Sequence, residues 1–355
     1  MQNQPPPPFS CQYSPNLPEL MMQMGCTVAI TTYQAGKVIL ISPKDENHLV
    51  QLPRTFNKAM GLALDGDKLG VATKSEVIVL KNDARLAPGY PKSPNKYDAM
   101  FMPRATYYTG QVDIHDIDWG DDGLWGINTS FSCLCLIDEE HSFLPKWQPH
   151  FITDLKSEDR CHLNGLAMEN GKPKFVSALG TGNTHQSWRE NIVKGGVIMD
   201  VESNEVVVSG LPMPHSPRIY DGKLYMVTSA SGDLVVADTD KGTFESIINL
   251  KGFVRGMAKY GDYLFIGLSK LRQNSSTFNK LDIAKFANQS GFDVIHLPTG
   301  ARVAQLRYLA SVDEIYDIQI LPNMTRPGIV NTLGEMHHQG LSIPSATFWA
   351  APNQK

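Results

Sequence analysis

The chain has 355 residues, of which 42% are hydrophobic and 19% are charged, and its formal net charge is -4. This composition is typical of a globular protein with one large domain or two ordinary ones. The mild acidity and the lack of a Lys/Arg-rich stripe argue against a nucleic-acid partner. No apolar run reaches the length of about eighteen residues that predicts a membrane span.

The N-terminal segment begins MQNQPPPPFS, which has neither the basic nor the apolar region of a secretory signal. We interpret residues 1–20 as a proline-rich, solvated tail and residues 21–355 as a single domain. The five scattered cysteines suit no disulfide framework, so we expect a reducing, cytoplasmic location. Residues 20–26, LMMQMGC, predict a short helix or turn before the first strands.

A strand pair at residues 31–42 precedes six segments that share one pattern of apolar strand, Gly/Asp/Asn turn and apolar strand. These segments begin at Gly61, Asp116, Gly165, Pro217, Gly256 and Asp317. A period of about 50 residues with short strands is typical of propeller blades. The sequence therefore predicts an all-β fold, a six-bladed β-propeller in which the N-terminal strand completes the last blade and closes the ring.

Two rim insertions interrupt the period, at residues 81–112 and 270–291, and the second contains the helix-like stretch LDIAKFANQ. Long insertions in propellers lie on the rims, so each is interpreted either as a lid over the central opening or as packing on the side of the ring. The aromatic C-terminal segment GEMHHQGLSIPSATFWAAP is expected to pack on the propeller.

The residues just before the repeats carry the candidate chemistry, because a propeller directs these segments towards its axis. Three of them contain histidines, and two more contain a charged residue: His115, His162, His215, Arg255 and Glu314. Three imidazoles and a carboxylate around one axis predict a divalent metal site for Zn, Fe, Mn or Ca. The other interpretation is that each histidine is a core residue bonded to a neighbouring blade.

Strand parity complicates this prediction, because His115, His162 and His215 stand at different distances from their repeats and alternate residues face opposite sides of a strand. His215 faces the site only if Pro214 and Pro217 reset the register there. Asn164 follows His162 on the same side and is a candidate oxygen ligand or substrate-binding group.

Other polar residues near these positions have two interpretations each. Asp116 and Asp317 either orient imidazole N–H groups or cap the strand ends. Cys133 and Cys135 share a strand face and are either metal ligands or buried apolar residues, of which burial is favoured.

The segment GTGNTHQSWRENIVKGG (180–196) brings Trp188 and Arg189 together after a flexible loop. Such a pair commonly holds an anionic or planar ligand. The other interpretation is that Trp188 packs on a neighbouring blade.

The stretches HLNGLAM, GLPMPHSPRIYDGKLYMVTSASGDL, GLSK and EIYDIQILP resemble a bacterial family that carries a domain-of-unknown-function label. The resemblance extends from about residue 27 to residue 330 and implies a propeller-like domain, with no established activity. The six-bladed layout is also similar to gluconolactonase and streptogramin-lyase propellers, which hold a metal or a catalytic histidine near the axis. That similarity concerns the fold alone, since their full ligand pattern is missing here.

These observations predict a metal-dependent enzyme of lyase, hydrolase or oxidative type that acts on a small molecule. His115, His162 and His215 are the expected ligands, Glu314 a ligand or general base, and Arg255 and Arg189 the groups that hold an anionic substrate. The alternative is a non-catalytic binding propeller whose rim recognises a protein or peptide. The oligomeric state is not predicted.

Overall fold

Each of the first five repeats forms an antiparallel hairpin, because a turn that takes positive φ separates two apolar β-forming segments. Asn170 and Gly171 have φ of 50° and 75°, and Asp221 and Gly222 have φ of 51° and 72°. Two consecutive residues with positive φ give the type of turn that matches the twist of paired strands. These hairpins are the inner halves of five blades.

The computed structural model describes residues 5–271, 278 and 281–350, and six sheets form a ring. The innermost strand of each sheet contacts that of the next, and the sixth contacts the first. This confirms the predicted six-bladed propeller.

Each of the first three blades has four strands in chain order from the axis outwards. In the first blade they are Leu62–Asp65, Lys68–Ala72, Glu76–Asn82 and Ala99–Tyr108. In the second they are Ile114–Gly120, Gly123–Asn128, Cys133–Ile137 and Leu144–Trp147. In the third they are Leu163–Glu169, Lys172–Ala178, Gly196–Asp200 and Val206–Leu211.

The fourth and fifth blades follow the same order. The fourth contains Pro214–Tyr220, Lys223–Thr228, Asp233–Asp238 and Thr243–Asn249. The fifth contains Phe253–Tyr260, Tyr263–Ser269, Gly291–His296 and Ala301–Tyr308.

The sixth blade joins the two ends of the chain. Its innermost strand is Asp317–Pro322, and its other strands come from the N-terminal side: Cys26–Thr32, Lys37–Pro43 and Leu49–Thr55. Six consecutive residue pairs, from Cys26 with Pro322 to Thr31 with Asp317, hold the junction. The predicted closure is therefore confirmed, with three N-terminal strands that begin at Cys26.

The sixth repeat differs from the other five. Its second segment, Pro327–Ile329, does not fold back on Asp317–Pro322, because Cys26–Thr32 occupies that edge. Instead it pairs in parallel with Ala99–Phe101 of the first blade. The hairpin expected from Asp317 onwards is wrong for this physical reason.

The N-terminal region is more ordered than a solvated tail. Strand Cys11–Tyr13 pairs with the outer strand of the fifth blade, and helix Leu17–Met24 ends at Gly25, where φ is 62°. Leu17 and Met21 are fully buried in the core of the fifth and sixth blades. The boundary predicted at residue 20 is therefore too late, although the short helix is confirmed.

The first insertion is not a lid over the axis. Within residues 81–112, the short 3-10 helix Ala84–Leu86 and the outer strand Ala99–Tyr108 flank a loop on the side of the ring. Tyr90 of this loop packs on Trp349, whose Nε1 donates to the carbonyl of Leu86. Trp349 belongs to a C-terminal hairpin, Gly340–Ile343 with Ala346–Trp349, that follows helix Met336–Gln339. The C-terminal segment thus packs on the propeller as expected.

The core lies between adjacent sheets, and close approach of the innermost strands depends on glycine. Gly256 has a φ of 78°. A Cβ at this position would lie 2.7 Å from the Cα of Asp317 in the next blade. A larger residue at position 256 would separate the fifth and sixth blades at the axis.

Candidate functional site

Four of the innermost strands contain a β-bulge near their first residues. The pairing with the second strand shifts around His115 and Asp116, at Asn164, at Ser216 and Pro217, and at Arg255 and Gly256. A bulge re-aims the side chains beside it. Strand parity therefore does not apply here, and the pairing of the fourth blade shifts between His215 and Arg218.

These bulges surround a cavity of about 570 Å³ at one end of the axis, here called the axial cavity. Seven of the eight predicted site residues line it: His115, His162, Trp188, Arg189, His215, Arg255 and Glu314. The eighth, Asn164, lies in a small adjoining void that shares His115, His215, Arg255 and Tyr316 with the axial cavity. The fold therefore brings together residues that are up to two hundred positions apart, as the repeat predicted.

His162 is held by a carboxylate that the sequence analysis did not identify. Its Nδ1 lies 2.9 Å from Oδ1 of Asp159, and Nε1 of Trp188 donates to Oδ2 of the same residue at 3.0 Å. Because a carboxylate accepts, Nδ1 carries a proton, and in the neutral ring the lone pair is on Nε2. Asp159 and His162 have φ of 47° and 51°, a conformation that costs on the order of 1–2 kcal/mol for each residue.

His215 has the same tautomer for a different reason. Its Nδ1 lies 3.0 Å from the carbonyl oxygen of Met213 and 2.8 Å from Oγ of Ser229. The Ser229 hydroxyl donates to the carbonyl of Val254, so its oxygen accepts from His215. Burial, and then the charge of Arg255, hold the pKa of His215 well below its ordinary value. The ring is therefore neutral.

His115 lies between the other aromatic groups of the cavity wall. Its ring centroid is 5.0 Å from that of His162 and 5.6 Å from that of Tyr316. Burial lowers the pKa of His115 well below the ordinary value, and His162 and Arg255 lower it further. Its buried Nδ1 has no hydrogen-bond partner among the residues that the structure describes.

Arg255, Glu314 and Tyr316 form a further group of polar residues that line the axial cavity. The guanidinium carbon of Arg255 is 3.4 Å from the centroid of the Tyr316 ring, and its Nη1 is 3.8 Å from Oε1 of Glu314. Burial keeps the pKa of Tyr316 well above its usual range, so the phenol is a neutral hydrogen-bond donor.

The second insertion lies at this end of the axis. Lys270, Leu271 and Phe278 line the cavity. The stretch LDIAKFANQ contains the 3-10 helix Asp282–Lys285, and Leu281, Ile283 and Ala287 are buried against Trp188 and Phe253, among others. Residues 272–277, 279 and 280, where part of the predicted lid falls, lie outside the described residues. The lid role stays a prediction.

Below the cavity, Asp116, Arg218 and Asp317 form a second polar group, here called the axial ion cluster. Arg218 donates to both carboxylate oxygens of Asp116 at 2.8 and 3.0 Å, and the Leu166 amide donates to Asp116 at 2.9 Å. Asp317 accepts from the amide of Leu62 at 2.8 Å. Within the described part of the chain neither carboxylate is hydrogen-bonded to an imidazole, and each instead accepts from an innermost strand of another blade.

Burial is the main influence on the pKa of Asp317, which it raises to about 7. The positive charge of Arg218 lowers this pKa, whereas the negative charge of Asp116 raises it.

The structure does not test metal binding, which therefore stays a prediction. Within residues 5–271, 278 and 281–350, no group of three or more His, Cys, Asp or Glu side chains has a metal-binding arrangement. Cys133 and Cys135 are buried, as favoured, and burial raises the pKa of Cys133 to about 12. The thiolate that a metal requires is therefore disfavoured there.

Asp159, Ser229 and Tyr316 were missed by the sequence analysis. Asp159 precedes His162 by three residues in DRCH, and this proximity is the only local signal for their pairing. Tyr316 lies between two residues that the analysis did select, Glu314 and Asp317. Ser229 immediately follows the second strand of its blade, Lys223–Thr228, where no sequence pattern distinguishes it.

Comparison with known proteins gives a family and a fold. The sequence profile of a family described as a domain of unknown function, DUF4915, matches residues 15–330. No curated protein matches the sequence. None of the helices in the described part of the chain is long and apolar enough to cross a membrane.

Two solved structures are similar in fold, each at 10% sequence identity. A chain in a crystal structure of a nidogen/laminin complex has a TM-score of 0.51, with 84% of this chain and 99% of that chain covered. A protein of unknown function from Bacteroides caccae has a TM-score of 0.52, with 83% and 98% covered. At this identity the likeness concerns the propeller alone.

Proposed function

The chain belongs to the DUF4915 family, whose description names no activity, and we propose that it is an enzyme acting on a small molecule in the axial cavity. The observation that carries this proposal is the pair formed by Asp159 and His162. A carboxylate that fixes the Nδ1 proton leaves Nε2 as a base, and His162 lines the cavity. Strained backbone at both residues is a cost that functional sites commonly bear.

The other groups have complementary roles in the proposed reaction. His162 takes a proton from the substrate at Nε2 and, once protonated, returns that proton to the leaving group or to the product. Arg255 stabilises negative charge that develops on the substrate. This set of groups is suited to proton abstraction followed by elimination, or to hydrolysis.

A second Asp–His pair on the surface gives a matched control. Nδ1 of His48 lies 2.7 Å from Oδ1 of Asp45, and both side chains are well exposed. The purified protein is incubated with a mixture of small organic metabolites, and their consumption is followed by mass spectrometry. We expect turnover to fall by about a hundredfold or more in Asp159→Asn and His162→Gln, and to be unchanged in Asp45→Asn and His48→Gln.

The tautomer of the His162 ring shows whether the pair has only a structural role. Asp159→Asn should also move the proton of His162 from Nδ1, which ¹⁵N NMR of the imidazole detects. A shifted tautomer with full turnover would contradict the role of His162 as base. An absence of turnover in the wild-type protein would favour the binding propeller instead, a role for which the nidogen/laminin neighbour provides a fold precedent.

A second candidate is the metal-dependent form of this enzyme. The Nδ1 atoms of His162 and His215 are held by a carboxylate and a carbonyl, which is how metal-binding imidazoles are usually oriented. His115, His162 and His215 would then bind Zn, Fe, Mn or Ca. The cation of Arg255 in the same cavity disfavours this arrangement.

Metal content distinguishes the two candidates. A stoichiometric divalent ion that is lost in His162→Ala, together with stabilisation of the wild-type protein by the added ion, would support the metal-dependent form. Protein that is free of metal and still active would exclude it.

We also propose a cytoplasmic location for this activity. The five cysteines are all free in the structure, and four of them are buried. Fractionation of cells that express the full chain tests the location.

A further inference from the structure

Arg255 differs from the other largely buried arginines in how its donors are used. The side chains of Arg160, Arg218 and Arg307 are 6%, 14% and 10% exposed, and each donates to a carboxylate and to at least one further acceptor. Arg255 is 13% exposed, but its nearest carboxylate oxygen is 3.8 Å away. Among the described residues, no hydrogen bond uses its N–H groups.

An arginine with unused donors is costly to bury, because its hydrogen bonds to water are lost. The face of this guanidinium is covered by the ring of Tyr316, so its donors point outward in the plane of the group. Planar, paired N–H donors match the two oxygens of a carboxylate.

Two further polar atoms of residues that line the same void as Arg255 are buried without a hydrogen-bond partner among the described residues. They are the hydroxyl of Tyr316 and Nδ1 of His115. Tyr316 is 5% exposed and lines both the axial cavity and the adjoining void. Buried polar groups in native proteins almost always have a partner, so this pair indicates a place where a ligand atom binds.

The charges of the lining favour a ligand with one negative charge. Three cationic side chains line the cavity (Arg189, Arg255 and Lys270), as do two carboxylates, Asp113 and Glu314. Lys270 is bonded to Asp313 at 2.8 Å, and Arg189 lies over the Trp188 ring. The formal charges of the described lining residues sum to plus one, or to zero when Asp313 is included, and a phosphate with two charges would be repelled by Asp113 and Glu314.

Much of the other described lining is apolar or aromatic. Six residues form this part: Leu179, Trp188, Met213, Phe253, Leu271 and Phe278, while Tyr33, Gln34 and Ser269 also line the cavity. A cavity of about 570 Å³ is within the usual size for a small organic ligand.

We propose that the ligand of the axial cavity is a monocarboxylic acid with an apolar or aromatic body. Its carboxylate binds the N–H groups of Arg255 and the hydroxyl of Tyr316, and its body lies against Trp188 and Phe253. This inference rests on the proposed function only for the location of the site, since it concerns recognition rather than turnover.

Calorimetric titration of the full chain with 3-phenylpropionate tests the inference, with 3-phenylpropanamide as a neutral probe of the same shape. We expect the acid to bind about tenfold or more tightly than the amide, because the charged hydrogen bonds are lost in the amide. Arg255→Gln should weaken binding of the acid by about tenfold or more and leave binding of the amide unchanged. Tyr316→Phe should weaken acid binding by about threefold to tenfold.

Arg302→Gln is the control, because this arginine is 46% exposed and lies on an outer strand. The melting temperature of every variant shows whether it is folded. Equal affinity for acid and amide, displacement of the acid by inorganic phosphate at lower concentration, or failure of 3-phenylpropionate, benzoate and acetate to bind would each overturn the inference. Binding of the acid without any turnover would leave the inference standing and remove the proposed enzyme. Turnover of neutral substrates alone would support the proposed enzyme and overturn the inference of a carboxylate ligand.

Discussion

The axial cavity and the axial ion cluster are built from residues that are neighbours in the chain, yet they differ in how their polar groups are hydrogen-bonded. His115 and Tyr316 each have a buried polar atom without a partner. The next residues in the chain, Asp116 and Asp317, accept hydrogen bonds from Arg218 or from backbone amides of other blades. A one-residue step thus separates groups suited to a ligand from groups that hold the blades together.

The largest expected effect is a difference in unfolding free energy between a variant of the axial ion cluster and a variant of the axial cavity. Arg218→Met removes the ion partner of Asp116 in the interior and should lower the free energy of unfolding by about 3–5 kcal/mol. Arg255→Met removes an arginine that makes no hydrogen bond within the described residues and should cost less than about 2 kcal/mol. Urea unfolding of the two variants measures both values. Equal losses would mean that the cavity wall is as structural as the cluster.

A pH effect sharpens the same comparison. The folded pKa of Asp317 is raised to about 7, whereas an unfolded aspartate has a pKa of about 3.9. Between these values the folded state keeps a proton that the unfolded state has lost. The contribution of Asp317 to stability is therefore full below about pH 4 and lost as the pH rises to about 7, with a slope of at most about 1.4 kcal/mol per pH unit.

Asp317→Asn should remove this slope, which urea unfolding across that pH range measures. Asp221→Asn is the control, because Asp221 is 73% exposed. If the slope is the same in Asp317→Asn and in the wild-type protein, another group is responsible for it.

The smallest expected effect concerns the second insertion. Phe278 lines the axial cavity, whereas Phe286 of the same insertion is 56% exposed. Each change to alanine should alter stability by less than about 1 kcal/mol. Only Phe278→Ala should weaken binding of 3-phenylpropionate, by a few-fold, in the same calorimetric titration. Equal affinities in the two variants would count against the lid role.

The propeller was predictable because each blade repeats a local pattern of apolar strands and turn residues. The sixth repeat misleads at Pro327–Ile329, since local pattern cannot show that Cys26–Thr32 already occupies the adjacent strand edge. Likewise, the N-terminal strand Cys11–Tyr13 carries too short a signal to distinguish it from a tail.

The position of the candidate site was predictable for the same reason as the fold, because equivalent places in a repeat converge on one axis. The orientation of the side chains was not, because it depends on bulges such as the one between His215 and Arg218. A rule of alternating strand faces fails wherever an extra residue is inserted. Asp159 was missed because its pairing with His162 depends on left-handed backbone at both residues.

The way in which the sixth blade closes the ring determines when the chain can finish folding during its synthesis. Cys26–Thr32 is made early, but the strand that pairs with its inner edge, Asp317–Pro322, emerges only after all the other blades. Until then the nascent protein has an open, apolar strand edge, which is a site for pairing with other chains. We therefore expect a ribosome-bound chain that stops before Asp317 to need protection by a chaperone. We expect the chaperone to be released once the ring has closed.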